Sequence, residues 1–320
     1  MFRIMHMQSR HDLLLQFVRT GLAFLCVALL GACQPPNHYL IHPEQAPPSV
    51  VSWNEEIHQG QLLIRLHWAR PEGAGRFPAV LVHPEAGKQA AEMQGVVWDL
   101  ARQGYVAVAA DYRRLIDGEY RGNLFVWRAD TDVTTALEYV LRNPAVDGTR
   151  VATLGFSQGG VYSLLIAEHA PSEVKAVIAY YPVTDFEYWL DPTHYSNPMR
   201  RQVYRIIRWY FKKESQATSE EEFRQMLRRA SPLPQAEDMQ APVLLIHGEN
   251  DTSASVEESQ RLADRLQALG RTVKLLVFPG QGHVFNFKQP EPGREAWVAT
   301  LDWLRHYLAV PEPTAVADRP

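Results

Sequence analysis

Residues 151–160 read Val-Ala-Thr-Leu-Gly-Phe-Ser-Gln-Gly-Gly, so that a short apolar strand runs through a Gly-x-Ser-x-Gly pattern into an apolar helix. Glycine has no Cβ atom, so Gly155 and Gly159 let the strand and the helix approach closely around a sharp turn. Ser157 then lies at the apex, with the backbone N–H of Gln158 beside it at a helix N-terminus. The pattern alone occurs by chance in turns, but its place between a strand and a helix favours a nucleophile elbow.

Strand and helix signals alternate along the chain from residue 50 onward. The predicted strands cover residues 50–57, 61–69, 78–83, 105–110, 151–156, 174–181, 242–247 and 272–278. The predicted helices cover residues 90–103, 127–142, 158–169, 256–269 and 294–308. This alternation is typical of an α/β protein, and it predicts a mostly parallel, doubly wound sheet of about eight strands that begins with a hairpin around Gln59-Gly60.

The alternation is interrupted over residues 183–235, which we interpret as a cap-like helical insertion within one large domain at 50–309. One predicted helical face is apolar and the other is basic. The apolar face holds Val203, Ile206, Ile207, Tyr210 and Phe211, and the basic face holds Arg201, Arg205, Arg208 and Lys212. The basic face could meet a membrane or an anionic substrate, but Glu220–Glu222 lie nearby, so we favour a solvated surface. The aromatic residues expected to set specificity are Tyr188, Trp189, Tyr195 and Trp209.

The composition is that of an ordinary globular protein. The chain has 320 residues, of which 46% are hydrophobic and 21% charged, and its net charge of −4 gives no indication of nucleic-acid binding. The histidines are scattered without the spacing of metal ligands, and no nucleotide-binding loop is present. We therefore predict no metal and no cofactor, and the oligomeric state stays open.

The N-terminal segment is typical of a targeting signal. A basic stretch ends at Arg19, and the apolar run that follows is short for a permanent membrane helix. The run closes on Leu30-Gly31-Ala32-Cys33, which resembles a bacterial lipobox. The resemblance implies a signal peptide over 1–32 and lipidation of Cys33, whereas a plain secretory signal or an uncleaved anchor are the alternatives.

The residues that flank the predicted domain indicate a tether, a tail and a cellular location. Residues 33–49 are rich in proline and predict an extended tether, and residues 310–320 predict a disordered tail. Cys26 and Cys33 are the two cysteines, so the mature chain would contain no disulfide. Gln34, in place of the aspartate that retains lipoproteins at the inner membrane, resembles an outer-membrane signal. We expect a lipid-anchored protein of the bacterial cell envelope that faces the periplasm.

A serine nucleophile needs a base, and the base needs an acid to orient it. His283 lies in a glycine-rich loop just after the last strand, where parallel sheets collect their catalytic groups. His83 and His247 also end strands on that side, and we interpret both as structural or supporting groups. Asp251 lies in the turn after the strand 242–247 and gives the chain order Ser157, Asp251, His283. Glu249 and Asp238 are weaker candidates for the acid.

An oxyanion hole needs two backbone donors. Gln158 supplies the first, and the loop His83-Pro84-Glu85-Ala86-Gly87 supplies the second. Pro84 has no N–H, which leaves Glu85, Ala86 or Gly87, and we favour Ala86.

Further segments show a family resemblance across residues 75–308. They include Pro78–His83 with Glu85 and Gly87, Leu100–Asp111, Asn143–Asp147, Gly248–Asp251 and Gly282-His283. These resemble the dienelactone hydrolase family of the α/β-hydrolase superfamily. Ala230-Ser231-Pro232, followed by Pro242–Gly248, also resembles the catalytic domain of prolyl oligopeptidase relatives.

Two departures limit what the resemblance implies. Dienelactone hydrolases use a cysteine nucleophile where this chain has Ser157, so their lactone substrate does not follow. Prolyl oligopeptidases carry a propeller domain, whereas a tether and a hairpin precede the domain here. We expect a serine hydrolase that cleaves carboxylic esters, with a small-molecule substrate. A peptidase or acyl-peptide hydrolase, and a catalytically silent lipoprotein that binds a partner, are the alternatives.

Overall fold

The computed structural model describes residues 42–116, 119–122 and 129–309. The predicted signal peptide 1–32, the lipidation site Cys33 and the predicted tail 310–320 lie outside the described residues. The end of the predicted tether is described, and it packs on the domain. His42 is buried, with Nδ1 3.5 Å from Oδ2 of Asp99 and its ring edge-on to Trp297. The packed part of the chain therefore includes His42 and does not start at Val50.

One sheet organises the domain. Its strands are β1 (Val50–Gln59), β2 (Leu62–Pro71), β3 (Phe77–His83), β4 (Val106–Ile116), β5 (Glu119–Gly122), β6 (Val146–Phe156), β7 (Val174–Tyr180), β8 (Val243–Gly248) and β9 (Val273–Phe278). Their order is β1-β2-β4-β3-β6-β7-β8-β9, with β5 paired to β4. The strands from β4 to β9 in this order run parallel, whereas β1, β2 and β5 pair antiparallel. The eight predicted strands are all present, and the predicted fold class is confirmed.

Helices cover both faces of the sheet. They are α1 (Gln94–Arg102), α2 (Ala129–Arg142), α3 (Gln158–His169), α4 (Phe186–Trp189), α5 (Pro198–Ser215), α6 (Glu220–Arg229), α7 (Val256–Ala268), α8 (Phe285–Lys288) and α9 (Pro290–Leu308). Side chains of α1 and α9 share one core cluster with alternate residues of β3, β6, β7 and β8. Since successive strand residues point to opposite faces, the remaining strand residues pack under α2, α3 and α7.

Several boundaries differ from the prediction. The first turn of the helix predicted at 90–103 is a 3₁₀ turn, Ala90–Met93. β4 continues to Ile116 because it pairs with β2 and β5 beyond the buried segment. The last helix begins at Pro290 instead of residue 294, since a proline at the first helical position has no N–H to satisfy. Short helix α8 and strand β5 were not predicted.

The insertion at 183–235 is helical, as predicted, and contains α4, α5 and α6. Within the described ranges, no helix combines the length and apolar character needed to cross a membrane. β6, β8 and β9 are parallel, so the loops that follow them meet at one edge of the sheet, and the predicted triad Ser157, Asp251 and His283 lies in those loops.

Candidate active site

The chain turns sharply at Ser157, between β6 and α3. Ser157 has φ 53° and ψ −115°, a combination that costs a non-glycine residue backbone strain. Its N–H donates to the carbonyl oxygen of Tyr180 at 2.9 Å. A Cβ atom on Gly155 would lie 1.9 Å from the carbonyl oxygen of Gly159, and one on Gly159 would lie 2.1 Å from that of His83. Close backbone approach therefore requires both glycines, as the sequence predicted.

His283, in the loop after β9, faces this serine. Its Nε2 is 3.0 Å from Oγ of Ser157, within reach of the hydroxyl proton. The ring of Tyr181 packs against the imidazole, with 4.6 Å between ring centroids. Tyr181 is fully buried, has φ 40°, and donates its hydroxyl to Oδ1 of Asn286 at 2.8 Å. This anchored tyrosine fixes the plane of the imidazole, and the sequence analysis did not identify it.

Asp251 completes a line of hydrogen bonds from the serine. Its Oδ2 is 2.5 Å from Nδ1 of His283, and its Oδ1 accepts the N–H groups of Ser253 and Ala254 at 2.8 and 3.0 Å. Burial would raise the pKa of Asp251, but hydrogen bonds from His247 and His283 outweigh burial and hold this pKa below its usual value. Asp251 is therefore an anion at neutral pH.

The loop after β3 lies against the elbow. The carbonyl oxygens of His83 and Pro84 would lie 2.1 and 2.6 Å from a Cβ atom on Gly159. Gln158 is the first residue of α3, and at a helix N-terminus the backbone N–H groups point out of the helix. The two predicted oxyanion donors, Gln158 and Ala86, thus belong to adjoining segments, and their role stays a prediction.

Glu85 brings a carboxyl group to the same loop. Burial raises the pKa of the Glu85 carboxyl, while the charges of His283, Lys88 and Lys288 act in the opposite direction. The sequence predicted a role for the backbone of Glu85, and a place in the family resemblance, but no role for its carboxyl group. Its position next to Pro84, in a loop already assigned to the site, was the available signal for this side chain.

The rejected candidates lie elsewhere. His83 is fully buried, with Nδ1 3.2 Å from the hydroxyl oxygen of Tyr112, and burial lowers the pKa of His83 to about 3. Glu249 accepts the N–H of Gly280 at 2.9 Å and so ties the loops after β8 and β9 together. Asp238 precedes β8 and lies at the other edge of the sheet. His247 is the exception, because its Nε2 is 3.4 Å from Oδ2 of Asp251.

The insertion is hydrogen-bonded to the loop that carries Asp251. Nε1 of Trp189 and the hydroxyl of Tyr204 both donate to the carbonyl oxygen of Ser253, at 2.8 and 3.1 Å. Between the insertion and this loop lies a cavity of about 200 Å³. Three of the four aromatic residues expected to set specificity line it, Tyr188, Trp189 and Tyr195. Trp209 is not among the residues that line this cavity and is 54% exposed, so its role in specificity stays a prediction.

Half of the predicted basic face of α5 is paired with an acidic residue, whereas Arg201 donates to the carbonyl oxygen of Tyr195 and Arg205 to the side-chain oxygen of Gln202. Arg208 and Lys212 both form ion pairs with Glu220, the first residue of α6. On the apolar side, the most buried residues are Tyr204 and Ile207, so the buried face is rotated from the predicted one. In the described part of the chain, no three His, Cys, Asp or Glu side chains are placed to hold a metal ion together.

Residues 93–310 match the family model described as the prolyl oligopeptidase family, which is more than half of the chain. The chain belongs to the prolyl oligopeptidase family. The match begins before α1 and includes Ser157, Asp251 and His283, whereas the loop with Glu85 and Ala86 precedes it.

The individual proteins that resemble this prolyl oligopeptidase family member carry the names of hydrolases. The Bacillus subtilis protein named "Uncharacterized peptidase YtmA" is 27% identical over 212 residues, covering 66% of this chain and 76% of that protein. A Methylorubrum extorquens protein named "Putative carboxymethylenebutenolidase" is 25% identical over 262 residues, covering 77% of each. A thermophilic esterase from Thermogutta terrifontis shares the fold, with a TM-score of 0.61, 19% identity, and coverage of 85% of this chain and 96% of that one. The resemblance to α/β-hydrolases is confirmed, and the protein is a hydrolase.

Proposed function

We propose that this hydrolase cleaves carboxylic esters or related acyl compounds with Ser157, His283 and Asp251 as its catalytic triad. The observation that supports the proposal best is the unbroken line of hydrogen bonds from Oγ of Ser157, through the imidazole, to the carboxylate of Asp251. The line starts at a strained elbow and ends on a buried anion, which is the arrangement that activates a serine hydroxyl.

In the first step, Oγ of Ser157 bonds to the carbonyl carbon of the substrate while Nε2 of His283 takes the hydroxyl proton. The negative charge that develops on the carbonyl oxygen is directed at the N–H groups of Gln158 and Ala86. The carboxylate of Asp251 stabilises the imidazolium. Nε2 then returns the proton to the departing alkoxide, and the acyl group stays on Ser157.

In the second step, water attacks the acyl-enzyme. Nε2 of His283 takes a proton from the water as its oxygen bonds to the acyl carbon, and it returns that proton to Oγ of Ser157 as the acid leaves. One water molecule is consumed, and one acid and one alcohol are released. The triad is restored without a cofactor in any step.

The name of a relative supports the preference for esters. One relative bears the name carboxymethylenebutenolidase, and a butenolide is a cyclic ester. Peptide-bond cleavage is the second candidate, because the family is named for an oligopeptidase and another relative is named a peptidase. Both reactions use the same acyl-enzyme, so the site geometry alone is compatible with either.

A substrate panel tests the proposal. We expect the wild-type protein to hydrolyse p-nitrophenyl esters faster than peptide p-nitroanilides, and Ser157→Ala to lose on the order of 10³-fold or more of that activity. Turnover of the anilides without the esters would establish the second candidate instead. Ester hydrolysis that survives in Ser157→Ala would overturn the triad.

We also propose, from the lipobox-like residues 30–33, that the protein is lipid-anchored at the bacterial cell envelope. The test is expression of the full chain in a bacterial host, followed by separation of membrane and soluble fractions. We expect the wild-type protein in the membrane fraction and Cys33→Ala outside it. Equal membrane association of both proteins would contradict lipidation at Cys33.

A further inference from the structure

A second histidine contacts the carboxylate of Asp251. His247 is the penultimate residue of strand β8 and is fully buried. Its Nε2 is 3.0 Å from the carbonyl oxygen of Ala254 and 3.4 Å from Oδ2 of Asp251. Its Nδ1 is 2.7 Å from Oγ of Ser259, a fully buried residue of α7. Both ring nitrogens of His247 therefore have partners, and one of these partners, Asp251, belongs to the site described above.

The partners determine where the protons lie. A carbonyl oxygen can only accept, so the contact with Ala254 requires a proton on Nε2 of His247. The same N–H group lies beside the carboxylate, with 3.4 Å between Nε2 of His247 and Oδ2 of Asp251. The hydroxyl of Ser259 can donate to Nδ1 or accept from it, so it orients the ring in either charge state. His247 is thereby fixed as a donor toward the Asp251 loop.

Asp251 divides its oxygens between different partners. Oδ1 is held by the backbone N–H groups of Ser253 and Ala254, which belong to the same turn. Oδ2 is shared between Nδ1 of His283 at 2.5 Å and the weaker, longer contact with His247. Because His247 also stabilises the negative charge on Oδ2, that charge interacts less strongly with His283.

We propose that His247 is a positioning residue of the triad, oriented by Ser259, which holds the Asp251 turn and withdraws part of the carboxylate charge from His283. The inference rests on the proposed function, since it assigns a role within that triad. It extends the line of contacts from the serine at the elbow to α7, on the far side of β8.

The direction of the effect follows from the contacts. If the imidazole of His247 is replaced by an apolar side chain, Oδ1 keeps its two backbone donors, so the carboxylate stays beside His283. Its full charge then acts on His283 and favours the protonated imidazole, which is inactive as a base. The acidic limb of the activity profile therefore moves to higher pH. Other groups near these residues are Glu85, Tyr181 and Tyr204, and the variants leave them unchanged.

The experiment compares His247→Leu with His247→Gln. Glutamine retains a donor toward Ala254 and an acceptor for Ser259, whereas leucine has neither. We expect His247→Leu to raise the midpoint of the acidic limb of kcat/KM by about one pH unit, since a hydrogen bond to a charged group is worth about that much. Ester hydrolysis then falls roughly tenfold below the midpoint and little well above it. His247→Gln restores the wild-type profile, and Ser259→Ala lies in between.

A readout that needs no turnover accompanies the kinetics. NMR of ¹⁵N-histidine-labelled protein follows the titration of the His283 ring, with its signals identified by their loss in His283→Asn. His67→Leu is the control, because His67 is also buried but lies on β2 and contacts Asn54. We expect the His283 midpoint to rise in His247→Leu alone.

The outcomes separate the two proposals. An unchanged His283 midpoint in folded His247→Leu, or an equal rise in His67→Leu, would overturn the role of His247. A uniform loss of activity at every pH would do the same, because a purely structural contact predicts that result. If Ser157→Ala stays fully active, the proposed function fails, and the NMR titration still decides whether His247 acts on His283. If His247→Leu does not fold, the titration in Ser259→Ala decides, with a smaller rise expected.

Discussion

Substitution Gly155→Ala is expected to displace the serine that the elbow presents. The added Cβ would lie 1.9 Å from the carbonyl oxygen of Gly159 and 2.2 Å from its carbonyl carbon. Nonbonded heavy atoms rest about 3.5 Å apart. The end of β6 and the start of α3 must therefore separate by roughly 1.5 Å, and backbone atoms cannot yield as a flexible side chain would.

Two effects of different size follow from this separation. Forcing an extra methyl group into a packed site costs about 1–3 kcal/mol of unfolding free energy. A displacement of about 1 Å at a reacting atom costs on the order of 10²-fold in rate. We therefore expect Gly155→Ala to fold with reduced stability and to lose on the order of 10²-fold of its ester-hydrolysis rate.

Gly148→Ala is the matched control. Gly148 lies on the same strand, β6, and a Cβ there would meet the side chain of Leu141 at 3.3 Å, which can move aside. Urea unfolding gives the stability of both variants, and ester hydrolysis per folded molecule gives the activity. We expect Gly148→Ala to stay within about 1 kcal/mol and near wild-type activity. If Gly155→Ala matches Gly148→Ala in both measurements, the close approach does not support the elbow and the reasoning fails.

Three further predictions concern the groups around the elbow. Asp251→Asn removes the anion that orients His283, so kcat should fall on the order of 10³- to 10⁴-fold in steady-state kinetics, and a loss below tenfold would contradict that role. Because burial lowers the pKa of His83 to about 3, its neutral form is favoured in the folded state, and stability is lost as the pH falls below about 6.5. Between about pH 3 and pH 6.5, His83→Leu should therefore reduce the slope of the unfolding free energy against pH by about 1.4 kcal/mol per pH unit. An unchanged slope would show that His83 becomes protonated in the folded protein. Trp189→Phe and Tyr204→Phe each remove one donor to the carbonyl oxygen of Ser253. In each variant, amide hydrogen exchange in the turn after Asp251 should become faster, because the free energy of opening that turn falls by about 1 kcal/mol. Unchanged exchange rates would show that the insertion does not hold that turn.

Much of the fold followed from local patterns in the sequence. The buried strands β3, β6, β7 and β8 are short apolar runs between turn signals, and their hydrophobicity is sufficient to identify them. Ser157, Asp251 and His283 each follow a strand of the parallel sheet, so the topology brings them to one edge. Strand β5 escaped prediction because it has four residues, Glu-Tyr-Arg-Gly, with no apolar run, and forms by pairing with the end of β4.

Other features depend on tertiary contacts that a sequence does not display. Tyr181 and Val284 have positive φ values of 40° and 63°, although neither is a glycine. The structure around them imposes these conformations, and Tyr181 thereby contacts His283. His247 ends a buried strand like any core residue, and its contact with Asp251 arises because the turn after β8 folds back on the strand. The exposure of Trp209 depends on how α5 rotates against α6, which the helical pattern leaves open.

Labelling with a fluorophosphonate probe, followed by mass spectrometry of the digested protein, tests the central claim most directly. The reagent bonds to serines that a neighbouring base activates, so it reports the nucleophile without a choice of substrate. We predict one adduct, on Ser157, that is absent in Ser157→Ala and forms far more slowly in His283→Ala. An adduct on another serine, or no adduct in protein shown to be folded, would contradict the account.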